Sequence, residues 1–270
     1  MIRTIASIFL MAAFAIACSR NALTGKKGPT LFKESDLQNM AATEYLQFLS
    51  SNKVVTTAGS RDVEMVRRVG QRITKAVEVY YNDVLKNPGE LAGFKWEYNL
   101  VDNKEVNAWC MPGGKIVVYT GLLPITQNEA ALAVVMGHEV SHALAQHGNN
   151  RMSLQLGQQI VGLGLQVALS SKPQETQNAF LTAYGLGSQV GVLLPFSRTQ
   201  ESDADKYGIF FAAIAGYNPE EAIPLWERME KASSGQKPPE FLSTHPSEGT
   251  RIQHLKELMP EALKYYKPVK

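Results

Sequence analysis

A chain of 270 residues with 44% hydrophobic and 19% charged residues carries a sizeable core, which excludes an intrinsically disordered protein. A formal net charge of +2, with no basic stripe along the chain, excludes nucleic acid as a partner. The length leaves room for one large domain or two small ones once a leader is removed.

The first three residues carry one positive charge, Arg3, and residues 4–17 are uncharged and mostly apolar. An apolar run this short behind a basic start reads as a secretory signal and not as a membrane span. It ends in Ala15-Ile16-Ala17-Cys18. Small residues ahead of a cysteine resemble the bacterial lipobox, with Ala15 where Leu is usual, so Cys18 is expected to be lipidated and to form the mature N-terminus. A conventional signal peptide with a chance cysteine is the alternative. Ser19 in place of Asp would direct such a lipoprotein to the outer membrane, and several acyl chains would anchor it stably in the bilayer. The second cysteine, Cys110, then lacks an intrachain partner and reads as a small buried hydrophobe. The expected division is a signal peptide at 1–17, a lipidated tether at 18–33 and a single domain at 34–270.

Helical periodicity runs over 34–49 and more strongly over 61–85, where Val63, Val66, Val69, Ile73, Val77 and Tyr80 form one apolar stripe. Alternation over 94–100 predicts a half-buried strand. Residues 106–109 and 115–119 predict two more, joined by the Met111-Pro112-Gly113-Gly114 turn. Asn128 is a plausible cap for a buried helix reaching His147. Residues 152–171 and 176–197 contain no charged side chain, but several glutamines interrupt them. They are expected to form a buried or active-site-covering helix pair, against the alternative of membrane-embedded helices. Gly187 and Gly191 within them suggest close helix packing. Helical segments near 200–215, 219–233 and 247–258 complete the chain.

Within the helix after Asn128 stands His138-Glu139-Val140-Ser141-His142. Helical positions four apart share a face, so the two imidazoles can bind one metal ion while Glu139 reaches a water beside it. This pattern predicts one zinc ion and hydrolysis, with Glu139 as general base. A third ligand is needed. His147 lies about 180° from His138 around the same helix and is expected at the surface. Glu201 and Asp205, four apart, offer two carboxylates on one face. One can bind the metal while the other accepts a hydrogen bond from a ligating histidine.

The segments HEVSH at 138–142, ESDAD at 201–205, NAWCMPGGKIVVYTGLL at 107–123 and THPSEGTRI at 244–252 together resemble the HtpX-like zinc peptidases. That family takes in the CAAX prenyl endoprotease, Oma-type and BepA-like branches. The resemblance covers roughly residues 60–260. It implies a mostly helical α+β zincin fold with a small sheet beside the active-site helix. It makes Glu201 the third zinc ligand, giving a gluzincin-type set, and Asp205 its supporting partner. It also places the His245 segment over the zinc, where His245 would stabilise an oxyanion or close the site as a fourth ligand. Arg251 would add charge there or hold that loop. The strand edges near Asn107 or at Lys115 and Val117 are the candidates for holding an extended substrate. The function expected is an envelope-anchored endopeptidase, periplasm-facing, acting on unfolded or misassembled polypeptides near envelope-assembly machinery. The alternatives are a chaperone-like assembly factor with a mostly closed zinc site, and a membrane-embedded CAAX-type protease.

Overall fold

The computed structural model describes residues 18–57, 59–233, 239–245 and 249–268, so the expected signal peptide at 1–17 lies outside the described residues. The sheet that matters for function has three strands: β3 (Glu97–Val101), β4 (Ala108–Met111) and β5 (Lys115–Tyr119). Its order is β3-β5-β4, with β5 parallel to β3 and antiparallel to β4. The β4–β5 hairpin turns at Gly113 and Gly114, both at positive φ. A Cβ on Gly114 would also stand 2.5 Å from the Trp96 ring, so conformation and space both require glycine.

Against this sheet pack α2 (Arg61–Val79), extended by a π turn over Tyr80–Val84, and the central helix α4 (Glu129–Leu144). Helix α1 (Glu34–Ser51) flanks the sheet, and the short α3 (Leu123–Thr126) leads into α4. The Asn128 side chain caps α4 by accepting from the Ala131 amide at 2.8 Å. Every α4 residue is buried except Glu129, Ala130 and His142, which explains its apolar character nearly all round.

Helix α4 does not reach His147. Gln146 turns the chain at φ 55°, and His147 opens a new helix, α5 (His147–Leu169). The chain continues through α6 (Gln174–Ser188), a π turn, α7 (Leu194–Ile214), α8 (Ala222–Ser233), α9 (Glu240–Thr244) and α10 (Arg251–Ala262). Of the expected buried or active-site-covering pair over 152–197, the buried reading is overturned. Helix α5 buries only residues near its root, and α6 buries none. Leu163, Val167, Phe180 and Leu186 are among the exposed side chains. Gly187 and Gly191 have open space where a Cβ would stand, so the expected close packing is also absent. The run Gln174–Ile214 is long and apolar enough to cross a membrane by length and composition.

The segment expected as a tether instead folds onto the domain. Strands β1 (Cys18–Arg20) and β2 (Lys27–Pro29) pair antiparallel. Asn21 donates to the Leu144 carbonyl at the end of α4 and accepts from the amides of Leu23 and Thr24. Asn149 and Asn150 of α5 donate to the carbonyls of Phe32 and Pro29. Polar composition here serves specific hydrogen bonds and not solvation.

Helices α4 and α7 cross where Gly137 meets Gly208. A Cβ on Gly137 would lie 2.6 Å from the Gly208 carbonyl oxygen, and one on Gly208 would lie 2.9 Å from the His138 nitrogen. The obstacles are backbone atoms of packed helices and cannot swing aside. Substituting Gly208→Ala should therefore lower stability by about 1–3 kcal/mol, net of any helix-propensity gain. Urea unfolding would measure it; a stability equal to wild type would show that the helices are free to separate.

Candidate metal centre

The α4–α7 crossing brings together residues about 60 positions apart in the chain. Helix α4 supplies His138 and His142, α7 supplies Glu201 and Asp205, and His245 follows α9. His138, His142, Glu201 and His245 each offer one ligand atom, all within 4.8 Å of one another. His138 Nε2 lies 3.0 Å from His142 Nε2, 3.3 Å from His245 Nδ1 and 3.4 Å from Glu201 Oε2. His245 Nδ1 lies 3.1 Å from both Glu201 oxygens.

These spacings test whether a zinc ion fits. Ligands about 2.0–2.2 Å from a tetrahedral zinc stand roughly 3.3–3.6 Å from each other. The observed separations of 3.0–3.5 Å lie within this range or a few tenths of an ångström below it, and nitrogen and carboxylate donors are the ligand types that zinc takes. Neutral imidazoles alone would have to share protons across these contacts. A cation at the focus lets every nitrogen present a lone pair. His138, His142 and Glu201 therefore meet as expected, with His245 as a fourth donor.

Asp205 supports the centre. Its Oδ1 accepts from His138 Nδ1 at 3.0 Å, which leaves His138 Nε2 free as a metal donor. Arg251 clamps the same carboxylate through two hydrogen bonds, Nη2 to Oδ1 at 2.6 Å and Nε to Oδ2 at 2.7 Å. Burial pushes the Asp205 carboxyl upward, but Arg251 and His138 outweigh it and hold the pKa below its ordinary value. The guanidinium also lies 3.4 Å over the centre of the Trp226 ring and donates to the His245 carbonyl at 3.3 Å. Of the two roles expected for Arg251, its contacts match the holding of the His245 segment, and its clamp on Asp205 is a further role that the sequence did not suggest. That segment is fixed further by the Phe241 amide, which donates to the Val106 carbonyl just ahead of β4. Pro246 of the expected His-Pro loop lies outside the described residues.

Glu139 faces the other side of the cluster. Its Oε1 is buried with no hydrogen-bond partner among the described residues, 3.5 Å from His245 Nε2. Burial raises its pKa to about 7, with His245 opposing. An orphaned carboxylate oxygen there is placed to accept a water's proton.

The cleft beside Glu139 is lined also by Cys110, Pro112, His142 and Gln146. Strand β4 forms this wall and is one of the two outer strands of the sheet. Lys115 and Val117 do not fit the substrate-binding role expected of them. They sit on the central strand, hydrogen-bonded on both sides, with Val117 fully buried and Lys115 bound to the Lys95 carbonyl and Glu97. Asn107 immediately precedes β4; its carbonyl accepts from the Tyr119 amide and its side chain from the Ala108 amide. The Cys110 thiol is pushed well up by burial, as suits a packing residue, and Cys18 is exposed.

His147 does not lie at the surface. It is 5% exposed, and its Nδ1 lies 2.9 Å from His142 Nδ1. Burial lowers its pKa to about 3, so it is neutral. The unpredicted end of α4 at Gln146, a left-handed turn without glycine, is what brings it back.

Asp205→Ala should destabilise the metal-free protein by about 3–5 kcal/mol, because it strands the buried Arg251 charge. The double variant Asp205→Leu with Arg251→Met should cost less than the single change. Denaturant unfolding decides; a near-neutral Asp205→Ala would show that Arg251 reaches water.

Comparison with known proteins places this geometry. Residues 66–259 match the model of peptidase family M48. The chain is 34% identical over 207 residues to the mitochondrial metalloendopeptidase OMA1 of Schizosaccharomyces pombe, covering 74% of this chain and 59% of that protein. It is 38% identical over 181 residues to mitochondrial metalloendopeptidase OMA1 of Arabidopsis thaliana, covering 66% and 35%. With the β-barrel assembly-enhancing protease of Escherichia coli K12 the identity is 31% over 163 residues, covering 58% and 33%. The matched region is thus at most about three-fifths of these relatives' length.

Proposed function

Because the chain belongs to peptidase family M48, we propose that it is a zinc-dependent endopeptidase that cleaves extended segments of unfolded or misassembled polypeptides. The observation that carries this reading is the orphaned, buried Glu139 Oε1 beside a cluster of four metal donors. His138, His142 and Glu201 would hold a zinc ion, which would supply Lewis acidity toward a carbonyl and a neighbouring water. The chain's own residues do the rest. Glu139, with a pKa of about 7, takes the water's proton and returns it to the departing amine. Asp205 keeps the His138 proton on Nδ1 throughout. The outer strand β4, which follows Asn107, offers main-chain groups for an extended substrate, which then lies along the cleft.

His245 gives the site a second state. In this structure its Nδ1 lies 3.3 Å from His138 Nε2 and 3.1 Å from both Glu201 oxygens, where it would compete with a substrate or water for a bound zinc ion. In this same position its other nitrogen lies 3.5 Å from Glu139 Oε1, and with Nδ1 swung out of the cluster the ring can face the oxyanion. A protein that spends most of its time closed would act chiefly as a chaperone-like assembly factor, and the occupied fourth position favours that second reading.

The setting proposed is the bacterial envelope, with Cys18 acylated and the protein facing the periplasm at the outer membrane. Three features support it: the apolar leader ending at Cys18, the exposure of Cys18, and the E. coli relative named for β-barrel assembly. The exposed apolar surfaces of α5 and α6 rise from the helix root to which β2 is tied, so they are available to the same bilayer.

Glu139→Gln should reduce cleavage of casein by about 10²–10⁴-fold while zinc content stays at one per chain. Metal analysis and gel-based cleavage assays read the two quantities together. Equal cleavage by wild type and variant would refute the peptidase reading.

A further inference from the structure

We propose that His147 is a positioning residue for the metal centre, acting as the hydrogen-bond acceptor that holds His142 in its metal-binding tautomer. The inference rests on the zinc-site reading above and adds a residue to it. His142 Nε2 lies in the donor cluster, 3.0 Å from His138 Nε2 and 3.5 Å from Glu201 Oε1. Its other nitrogen, Nδ1, faces His147 Nδ1 at 2.9 Å, a normal N–H···N hydrogen bond.

A single proton lies between those two nitrogens, and it can belong to either ring. If His147 donates, neutral His142 carries its own proton on Nε2, aimed into the cluster where a lone pair is required. If His142 donates, its Nε2 is bare and faces the metal, and His147 carries its proton on Nε2. Only the second arrangement lets His142 be a ligand. His147 thus stands to His142 as Asp205 stands to His138. The difference is that a neutral acceptor adds no further negative charge to a centre already holding two carboxylates and Glu139.

The fold is built to deliver this contact. Had α4 continued, His147 would point away; the left-handed Gln146 reverses its direction and starts α5 beside the His142 ring. The His147 carbonyl accepts from Gln200 of α7 at 3.2 Å, next in sequence to the ligand Glu201. The following Asn149 and Asn150 bind the 29–32 segment. His147 is therefore held on two sides by residues that are not themselves metal donors.

The test compares two variants of the full chain. His147→Leu fills the space without an acceptor, whereas His147→Asn keeps an acceptor oxygen, Oδ1, at the branch where Nδ1 stood. Zinc affinity is read by competition with a chromophoric chelator, and the thermal midpoints of the metal-free forms are read alongside. His147→Leu should bind zinc roughly 10–100-fold more weakly than wild type, and His147→Asn should recover at least about fivefold of that loss. An Asn variant that binds no better than the Leu variant overturns the inference, as does a Leu variant with wild-type affinity. Should the Leu variant fail to fold, His147→Ala with imidazole added to the buffer replaces it. Restored zinc affinity then supports the acceptor role and no restoration overturns it. A wild-type protein that takes up no zinc would instead sink the reading of the whole site.

Discussion

Two carboxylates, Glu201 and Asp205, are buried to 5% and 4% exposure on one face of α7, and the site is organised around that constraint. Removing an ionised carboxylate from water costs several kcal/mol unless paired charges and hydrogen bonds offset it. Asp205 is offset by Arg251 and by the His138 ring. Among the described residues, Glu201 meets the imidazoles of His138, His142 and His245 and, at a longer 3.5 Å, Arg251. A divalent cation at their focus supplies the charge that this carboxylate lacks. The glycine contact between α4 and α7 is the geometric counterpart, because only near-contact backbones bring the carboxylates over the imidazoles.

The same logic separates what is fixed from what moves. His138 and His142 are each held from behind, by Asp205 and His147, so their nitrogens are preorganised. His245 sits on a short segment tied by the Phe241 amide and the Arg251 guanidinium, with its side chain 12% exposed. Among the four donors it alone comes from outside the two long helices. The donor best able to leave is thus the one whose departure opens the fourth position, while Arg251 links that segment to the support of His138.

Much of this was legible in the sequence because it depends on helical spacing. The four-residue steps from His138 to His142 and from Glu201 to Asp205 read directly as shared faces, and alternation at 97–100 read as a strand. Features that depend on where the chain turns were not legible. Gln146 carries no stop signal, so His147 was assigned the wrong side of a helix that had already ended. Strand order was also hidden: β5 reads like an edge of the hairpin, yet β3 pairs with it in parallel from outside the hairpin and makes it central. The uncharged stretches at 152–197 have the composition of buried helices. Nothing in composition distinguishes a core from a surface that meets some other apolar medium.

The central claim is that three imidazoles and one carboxylate converge on a single zinc ion. Zinc X-ray absorption of the purified, zinc-loaded protein tests it most directly, since it counts and identifies the bound atoms. The account predicts nitrogen and oxygen scatterers at about 2.0–2.1 Å, with outer-shell scattering from three imidazoles in the closed state. Scattering from sulfur near 2.3 Å, or a shell of water oxygens without imidazole, would contradict it.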